Sequence, residues 1–309
     1  PFDIQEKFVQ SIEGFEKAHI TRPGYAIEYD FFDPRGLDRT LETKHIKGLF
    51  FAGQINGTTG YEEAAAQGLI AGLNAAKITL GDSTWYPRRD QAYIGVLIDD
   101  LVTHGAIEPY RMFTSRAEYR LSLRQDNADL RLTEIGHNLG LVDEKRWSAF
   151  SAKKEAIDGE LEWLNATTIA AKDANNHGLI KKNLAQQSLA DILRRPNVEY
   201  LDFKEIYATR DREMNPNVLE QAQIQIKYDG YISRQQAQID KRKYDENLIF
   251  PDSFDYDSIA SLSNEAKEKL GQHRPETLGQ ASRIPGITPA TVSVLKVFLK
   301  AHGGYKKTA

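Results

Sequence analysis

The sequence predicts an α/β segment followed by a longer, mainly helical region, so that the chain as a whole is mostly α. Strand-like patterns occur only within about the first 84 residues, and helical periodicity dominates after them. The chain has 309 residues, which is enough for two domains or more. We expect domain boundaries near residues 84 and 250, which would divide the chain into segments 1–84, 85–250 and 251–309.

Two strands and one helix are predicted in the first segment. Residues 25–32 alternate and are rich in aromatic side chains, and residues 49–52 form an apolar run short enough to be one buried strand. Thr59 and Glu62 have the spacing of a capping box, which predicts a helix over about 60–79. Small residues recur at every fourth position of this helix and predict close approach to a sheet or a ligand. They are Ala64, Gly68, Gly72 and Ala76.

Helical periodicity accounts for most of the remaining chain. It occurs at residues 90–104, 116–124, 128–139 and 143–164. Residues 218–247 show some alternation that suits a strand, but their apolar spacing favours one long helix. Residues 258–301 predict three short helices, the last with Thr288 as N-cap and Pro289 in the first turn. Residues 166–187 are polar and unpatterned, which predicts a loop.

Composition excludes several classes of site. Lys and Arg number 40 against 44 Asp and Glu, so any basic surface must be local. The absence of cysteine excludes a disulfide framework, a thiolate metal site and a cysteine nucleophile within this chain. No apolar run reaches the roughly 18 residues that a membrane span needs, so we expect a soluble protein without membrane association. The seven histidines show no metal-binding spacing.

The chain begins at Pro1, without Met, and we expect it to be the rear part of a longer polypeptide.

A glycine-rich turn between the predicted second strand and helix is the candidate ligand site. Backbone amides at such a turn and at the following helix start can face an anionic or polar ligand. An ordinary strand-turn-helix without a ligand is the alternative, since the chain contains no complete G-x-G-x-x-G. The candidate residues are Gly53, Gln54, Ile55, Asn56, Gly57, Thr58, Thr59, Gly60 and Tyr61.

A run rich in arginine follows the first segment. Ser115 and Glu118 form a second capping-box pattern, which predicts a helix from Arg116 with arginines repeating along one face. Arginine suits bidentate recognition of phosphate or carboxylate. A solvated face, or pairing with acids such as Asp126 and Asp129, is the alternative. The candidate anion-binding residues are Arg111, Arg116, Arg120, Arg124 and Arg131.

The predicted long helix carries a second basic stripe. Lys227, Arg234 and Lys241 recur at seven-residue spacing, with Tyr228 and Tyr231 beside them. Interleaved aromatic and basic side chains suit single-stranded or loop RNA, although a solvated helix surface is the more common explanation. Residues 282–299 resemble half of a helix-hairpin-helix, for which core packing is the simpler explanation.

Long stretches of the chain resemble the GidA/MnmG family of tRNA-modifying flavoproteins. The likeness extends over essentially the whole chain and is weakest at 165–215. The approach to the glycine turn also resembles that of two-dinucleotide flavoproteins, in which an acidic residue stands where this chain has Gln54. The segments that carry the family resemblance are 22–33, 48–68, 108–121, 126–133, 228–232 and 278–283.

The resemblance implies an FAD-dependent enzyme that uses NADH and acts with the GTPase MnmE. Together they would add a carboxymethylaminomethyl or aminomethyl group to C5 of the wobble uridine of tRNA, with a folate one-carbon donor. The implied fold is a two-dinucleotide FAD-binding domain, of which segment 1–84 would be the C-terminal portion, followed by the helical C-terminal domain. A homodimer in the cytoplasm is also implied.

Site residues carried over by position follow from the same resemblance. Gln54 would contact FAD, and the turn from Gly53 to Tyr61 would line its site. The five candidate arginines would face tRNA in segment 85–250, and segment 251–309 would dock the GTPase. The catalytic cysteines of the family lie upstream, so we expect no catalytic residue here. The alternative is a non-catalytic helical module that binds tRNA and the GTPase and that binds FAD weakly or not at all.

Overall fold

The computed structural model describes residues 1–26, 28–169, 187–207, 215–246, 248–251 and 253–301. Helices dominate these residues, and the only sheet among them pairs β1 (Thr168–Ile169) with β2 (Gln187–Ser188) in antiparallel fashion. The prediction of a mostly α chain is therefore confirmed. The helices are α1 (Phe2–Gln10), α2 (Tyr61–Leu80), α3 (Tyr93–His104), α4 (Ala128–Asn138), α5 (Glu144–Ala166), α6 (Leu189–Leu193), α7 (Lys204–Tyr207), α8 (Pro216–Glu246), α9 (Asn264–His273), α10 (Leu278–Arg283) and α11 (Pro289–Ala301).

Side-chain caps start several of these helices where the sequence places them. The Asp143 side chain accepts a hydrogen bond from the backbone N–H of Arg146 at 2.8 Å at the start of α5. Thr277 and Gln280 form a reciprocal capping box at α10. The Thr291 N–H donates to the Thr288 hydroxyl at 3.2 Å, and α11 begins at Pro289, as predicted. The three predicted C-terminal helices and the long helix near 218–247 are likewise confirmed.

The two predicted strands of the first segment are wrong. The described residues of 25–32 and 49–52 are extended or irregular, and Phe50 forms only an isolated bridge, with Glu42. A strand needs a neighbouring ladder, and the described residues offer this segment single bridges such as Leu37 with Thr43. The apolar runs are thus extended chain held by scattered hydrogen bonds.

The predicted start of α2 is also wrong in detail. The helix begins at Tyr61 with Gly60 as N-cap and no side-chain cap, so Thr59 and Glu62 do not form a capping box. Within its small-residue stripe, Ala64 makes the predicted close approach, because a Cβ added at Gly53 would lie 3.3 Å from the Ala64 Cβ, but the two glycines do not. A Cβ added at Gly68 or Gly72 would meet nothing within 4 Å. The buried face of α2 carries Ala71 and four larger side chains, namely Gln67, Ile70, Leu73 and Asn74.

No helix forms over 116–124, where one was predicted. Residues 114–116 make one short 3-10 turn, and the chain then continues through further turns. Ala117 and Tyr119 are both buried, although a helix would place them about 200° apart around its axis. Burial of both side chains against Val96 and Ile239 therefore overrides the local capping pattern.

Separate hydrophobic clusters form along the chain. One joins α5, α6 and α8 around Leu164, Leu193 and Phe203. A second lies within residues 248–299, and a third joins residues 37–41 to α2 and α3 through Leu41, Ile70 and Leu101. The predicted loop at 166–187 lies mostly outside the described residues, which omit 170–186.

Phe203 and Leu201 provide a matched pair for testing the α5–α6–α8 cluster. Phe203 is completely buried, whereas Leu201, two residues away, is 64% exposed. We expect Phe203→Ala to lower the free energy of unfolding of this region by about 3–5 kcal/mol, because it leaves a cavity. Leu201→Ala should change it by less than about 0.5 kcal/mol. Urea unfolding followed by circular dichroism measures both, and equal losses would contradict the assigned core.

Candidate cofactor turn and nucleic-acid interface

The glycine-rich turn is a short 3-10 helix, Gly53–Asn56, that ends at Gly57 in a left-handed conformation. Gly53 and Gly57 have φ values of +85° and +81°, which favour glycine. An added Cβ at Gly57 would lie 2.8 Å from the Phe31 ring and 2.9 Å from Ala106. The close backbone approach that these glycines permit is therefore approach to the chain itself, where the sequence alone suggested approach to a ligand.

Gln67 of α2 stabilises the turn through hydrogen bonds from its buried side chain. It is completely buried, and its amide oxygen accepts from the Gly53 N–H at 3.2 Å and the Asn56 amide at 2.9 Å. Its amide nitrogen donates to the Thr58 hydroxyl at 2.9 Å. Sequence reasoning missed this residue. Polar Gln67 and Asn74 interrupt the buried face of α2 seven residues apart, and that interruption was the available signal.

A cavity of about 230 Å³ lies above the turn. Gln54, Gly57, Thr58 and Thr59 line it together with Tyr29, Phe31 and residues 106–109. Gly53 and Asn56 are buried, and Ile55 and Gly60 are partly buried. Tyr61 is 91% exposed at the start of α2. Four of the nine predicted residues thus share one cavity.

The chemistry of the cavity suits a polar, uncharged group. Its lining offers the uncharged polar side chains of Gln54 and Thr59 together with the carboxylate of Glu108, which opposes an anion. Glu62 and Glu63 occupy the first turn of α2, and their charges oppose an anion at that helix start. The volume is also below the roughly 300 Å³ at which pockets for whole small-molecule ligands begin. The turn can therefore receive one polar part of a larger molecule.

The five candidate arginines do not form a single helical face. Arg111, Arg116 and Arg120 are exposed, and the Arg116 guanidinium lies over the Tyr110 ring at 4.3 Å. Arg124 forms an ion pair with Asp126 at 3.0 Å, as the alternative interpretation proposed, whereas Asp129 pairs with Lys153 instead. Arg131 donates to the carbonyl of Gln91 and, at 2.9 Å, to Asn127.

Arg124 and Arg131 consequently stabilise the fold around them. Burial, together with the neighbouring Arg124 charge, lowers the pKa of Arg131. The remaining exposed residues of the set are Arg111, Arg116 and Arg120, and none of them pairs with a carboxylate within the described residues. These three form the part of the predicted anion-binding surface that is open to a partner.

A buried ion-pair network lies behind this surface. Asp99 and Asp100 are almost fully buried in α3, and Arg89 contacts them at 3.1 and 2.5 Å. The loop that carries Arg89 packs closely on α3 at Gly95. A side chain could not fit there, since a Cβ added at Gly95 would lie only 2.4 Å from the Arg88 carbonyl oxygen. Sequence reasoning missed this network, although two adjacent aspartates in an otherwise apolar helix could have indicated it.

The same network reaches the arginine segment and the C-terminal helices. Arg89 also contacts Glu118 at 2.9 Å. Arg283 of α10 contacts Asp99 at 2.8 Å and pairs with Glu246 at the end of α8. Burial and the adjacent Asp100 carboxylate raise the pKa of Tyr110, whose hydroxyl donates to Asp100 at 2.7 Å.

Comparison with known proteins decides the family. The GidA family model, glucose inhibited division protein A, matches residues 1–83. The model of the C-terminal helical domain of the tRNA modifying enzyme MnmG/GidA matches residues 144–236, and that of its C-terminal helical bundle matches residues 238–308. The chain belongs to the GidA/MnmG family.

Solved structures agree with this assignment. The structure of Aquifex aeolicus GidA in its form II crystal is 44% identical over 97% of this chain, with a TM-score of 0.78. The form I crystal of the same protein gives 44% identity over 97% of the chain and a TM-score of 0.76. The GidA/MnmG chain described here spans about half of those proteins, namely 48% and 47% of their lengths.

The described part of this GidA/MnmG chain contains neither a cluster of metal ligands nor a helix suited to cross a membrane. Its histidines and acidic residues form no group of three or more that could hold a metal ion. None of its described helices is both long enough and apolar enough to span a bilayer.

Glu118 should give the fold a measurable dependence on pH. Burial alone would raise the pKa of its carboxyl, but the hydrogen bonds and charge of Arg89 outweigh burial and hold that pKa below the usual 4.5. The ionised carboxylate therefore stabilises the fold fully above about pH 4.5, and this contribution is lost as the pH falls through the lower folded-state pKa. We expect Glu118→Gln to lower the free energy of unfolding at pH 7 by about 1–3 kcal/mol.

Denaturant unfolding measured between pH 3 and pH 7 checks this prediction. The Glu118→Gln protein should lose less stability than the wild type as the pH falls below about 4.5. Glu155→Gln is the matched control, because Glu155 is exposed in the middle of α5 and forms no ion pair within the described residues. A pH profile of Glu118→Gln that matches the wild type would contradict the role assigned to the Arg89–Glu118 pair.

Proposed function

We propose that this chain is part of an FAD-dependent tRNA-modifying enzyme that acts with the GTPase MnmE. The enzyme would add a carboxymethylaminomethyl or aminomethyl group to C5 of the wobble uridine, with NADH as reductant and a folate one-carbon donor, in the cytoplasm. The observation that carries the proposal is 44% identity to Aquifex aeolicus GidA over 97% of this chain. A homodimer is part of the same proposal.

Each proposed segment has a distinct task. Segment 1–84 would contribute to the FAD site, segment 85–250 would face tRNA, and segment 251–309 would dock MnmE. The hydrophobic cluster within residues 248–299 gives this segment a core of its own, which supports its role as a docking unit. The exposed Arg111, Arg116 and Arg120 support a tRNA-facing surface in the middle segment.

FAD would supply the redox chemistry, and this chain would supply part of its binding site. Gln54 is exposed on the cavity, where its amide can donate to a phosphate oxygen or accept from a ribityl hydroxyl. The buried Gln67 would keep the turn in place through its hydrogen bonds to Gly53, Asn56 and Thr58. The acids in the first turn of α2 favour a hydroxyl over a phosphate at this position.

The alternative is a non-catalytic helical module that binds tRNA and MnmE. The small size of the cavity, about 230 Å³, favours this alternative for the chain in isolation. The two functions differ in flavin binding, whereas tRNA binding is common to both.

Flavin binding is tested with added FAD. We expect the purified protein to bind FAD weakly, because its cavity can enclose only part of a dinucleotide. Gln54→Ala should weaken FAD binding further, by about two- to ten-fold, because one hydrogen bond is lost. Flavin fluorescence titration measures both, with the exposed Gln125→Ala as control. Protein that is purified yellow, with stoichiometric flavin, would contradict weak binding, and equal effects of the two substitutions would remove Gln54 from the site.

The tRNA-facing role is tested by neutralising the three exposed arginines. We expect the Arg111→Gln, Arg116→Gln and Arg120→Gln triple variant to bind tRNA more weakly across tRNA sequences. The slope of log K against log salt should fall by about one for each phosphate contact that is lost. Fluorescence anisotropy with labelled tRNA at several salt concentrations measures both quantities.

The matched control removes three positive charges elsewhere, at exposed Arg22, Lys145 and Arg146. It should leave the affinity and the salt slope nearly unchanged. Circular dichroism establishes that the triple variant remains folded, since Arg116 packs on Tyr110. If the two sets of substitutions have the same effect, Arg111, Arg116 and Arg120 are solvated surface residues.

A further inference from the structure

Helix α8 carries a pair of exposed tyrosines. The Tyr228 and Tyr231 side chains are 45% and 56% exposed, and their ring centroids lie 6.4 Å apart with planes inclined by 55°. The Arg234 guanidinium lies 4.9 Å from the centroid of the Tyr231 ring. Gly230, between the two tyrosines, has open space around it. These rings are therefore about half exposed, and a cation lies over one face of Tyr231.

Helix α8 packs on the residues that directly follow the exposed arginines. Gln235 of α8 accepts from the backbone N–H and the hydroxyl of Ser122 at 2.9 and 2.7 Å. Gln221 donates to Asp126 at 3.1 Å. Positions 221, 228 and 235 are two helical turns apart, so they share one face to within about 20° per step. Tyr228 thus lies on the face of α8 that contacts residues 122–126, close to the segment that carries Arg120.

The charge around the pair is locally positive in a chain whose net charge is −4. Within the described residues, Lys227 and Arg234 form no ion pair with a carboxylate, and neither does Arg120. The acid nearest in sequence, Asp229, is approached by Arg194 at 3.5 Å. Cations left without acidic partners favour an anionic partner for this surface.

We infer that Tyr228 and Tyr231 stack on unpaired nucleobases of an RNA, while Lys227, Arg234 and Arg120 neutralise its phosphates. The inference rests on the proposed function and assigns to tRNA an additional contact on α8. Exposed aromatic rings beside cations are how proteins bind unpaired bases. Bases within a duplex are stacked on one another and cannot use the rings, so the surface selects looped or single-stranded RNA.

The test compares two RNA probes on the purified protein. One probe is a hairpin with an unpaired loop, and the other is a fully paired duplex of the same length. We expect the Tyr228→Ala, Tyr231→Ala double variant to bind the hairpin at least about five-fold more weakly, because at least one stacking contact is lost. Duplex affinity and the salt slope should not change, since no charge is removed.

Three further variants separate stacking from other causes. Replacing both tyrosines with Phe keeps the rings and should keep hairpin affinity. Lys227→Gln with Arg234→Gln should lower both the affinity and the salt slope. Tyr244→Ala is the matched control, because Tyr244 lies on the same helix, is also 45% exposed, and is approached by Lys296 at 4.9 Å. It should leave hairpin binding unchanged.

Each remaining outcome has a definite meaning. Wild-type protein that binds neither tRNA nor the hairpin would overturn the proposed function and this inference together. Wild-type tRNA binding with no effect of the double variant on the hairpin would overturn the inference alone. An equal loss for hairpin and duplex would overturn base stacking, and a loss of GTPase co-purification without an RNA effect would make the surface a protein interface.

Discussion

The buried carboxylates of Asp99 and Asp100 constrain the arrangement of this chain more than any other feature. Removing a carboxylate from water costs several kcal/mol unless well-placed cations and hydrogen bonds offset the cost. Asp99 and Asp100 obtain these from Arg89, Arg283 and the Tyr110 hydroxyl. The partners come from different parts of the chain, so the network fixes where those parts lie relative to α3.

Several weaker contacts also join the first segment and α3 to the C-terminal helices. Arg39 of the first segment pairs with Glu276 beside α10 at 2.8 Å. The His104 ring, at the end of α3, lies 2.8 Å from the carbonyl oxygen of Arg283, and the His273 ring lies 3.0 Å from that of Thr103. Through Glu118 the network also anchors the arginine segment. The exposed Arg111, Arg116 and Arg120 therefore project from a segment that the buried network anchors through Glu118.

The candidate cofactor turn is likewise fixed by buried polar contacts, but these are hydrogen bonds between neutral groups. Gln67 forms hydrogen bonds with the Gly53 N–H, the Asn56 amide nitrogen and the Thr58 hydroxyl, so the turn keeps its shape without a ligand. The exposed Gln54 side chain lines the cavity on this framework. A preformed turn with an exposed polar side chain is suited to receive part of a polar ligand.

The sequence by itself determined the helical character of the chain and the starts of some of its helices. Periodic apolar spacing, the Asp143 cap, the Thr277–Gln280 box and Thr288 before Pro289 act within a few residues, so they can be recognised without the fold. It also determined the family, because long segments of the chain match patterns that are specific to that family. Local patterns misled at 49–52, at Thr59–Glu62 and at 116–124, where partners distant in the sequence decide the conformation.

Only the tertiary structure decided which polar residues serve the fold and which remain open to a partner. The sequence gives Arg120, Arg124 and Arg131 the same appearance, but folding brings Asp126 to Arg124 and the Gln91 carbonyl to Arg131, and leaves Arg120 exposed. In the same way it buries Gln67 beneath the turn and places Tyr228 beside residues 122–126. The physical reason is that the pairing and burial of a side chain depend on groups far away in sequence, which local periodicity cannot encode.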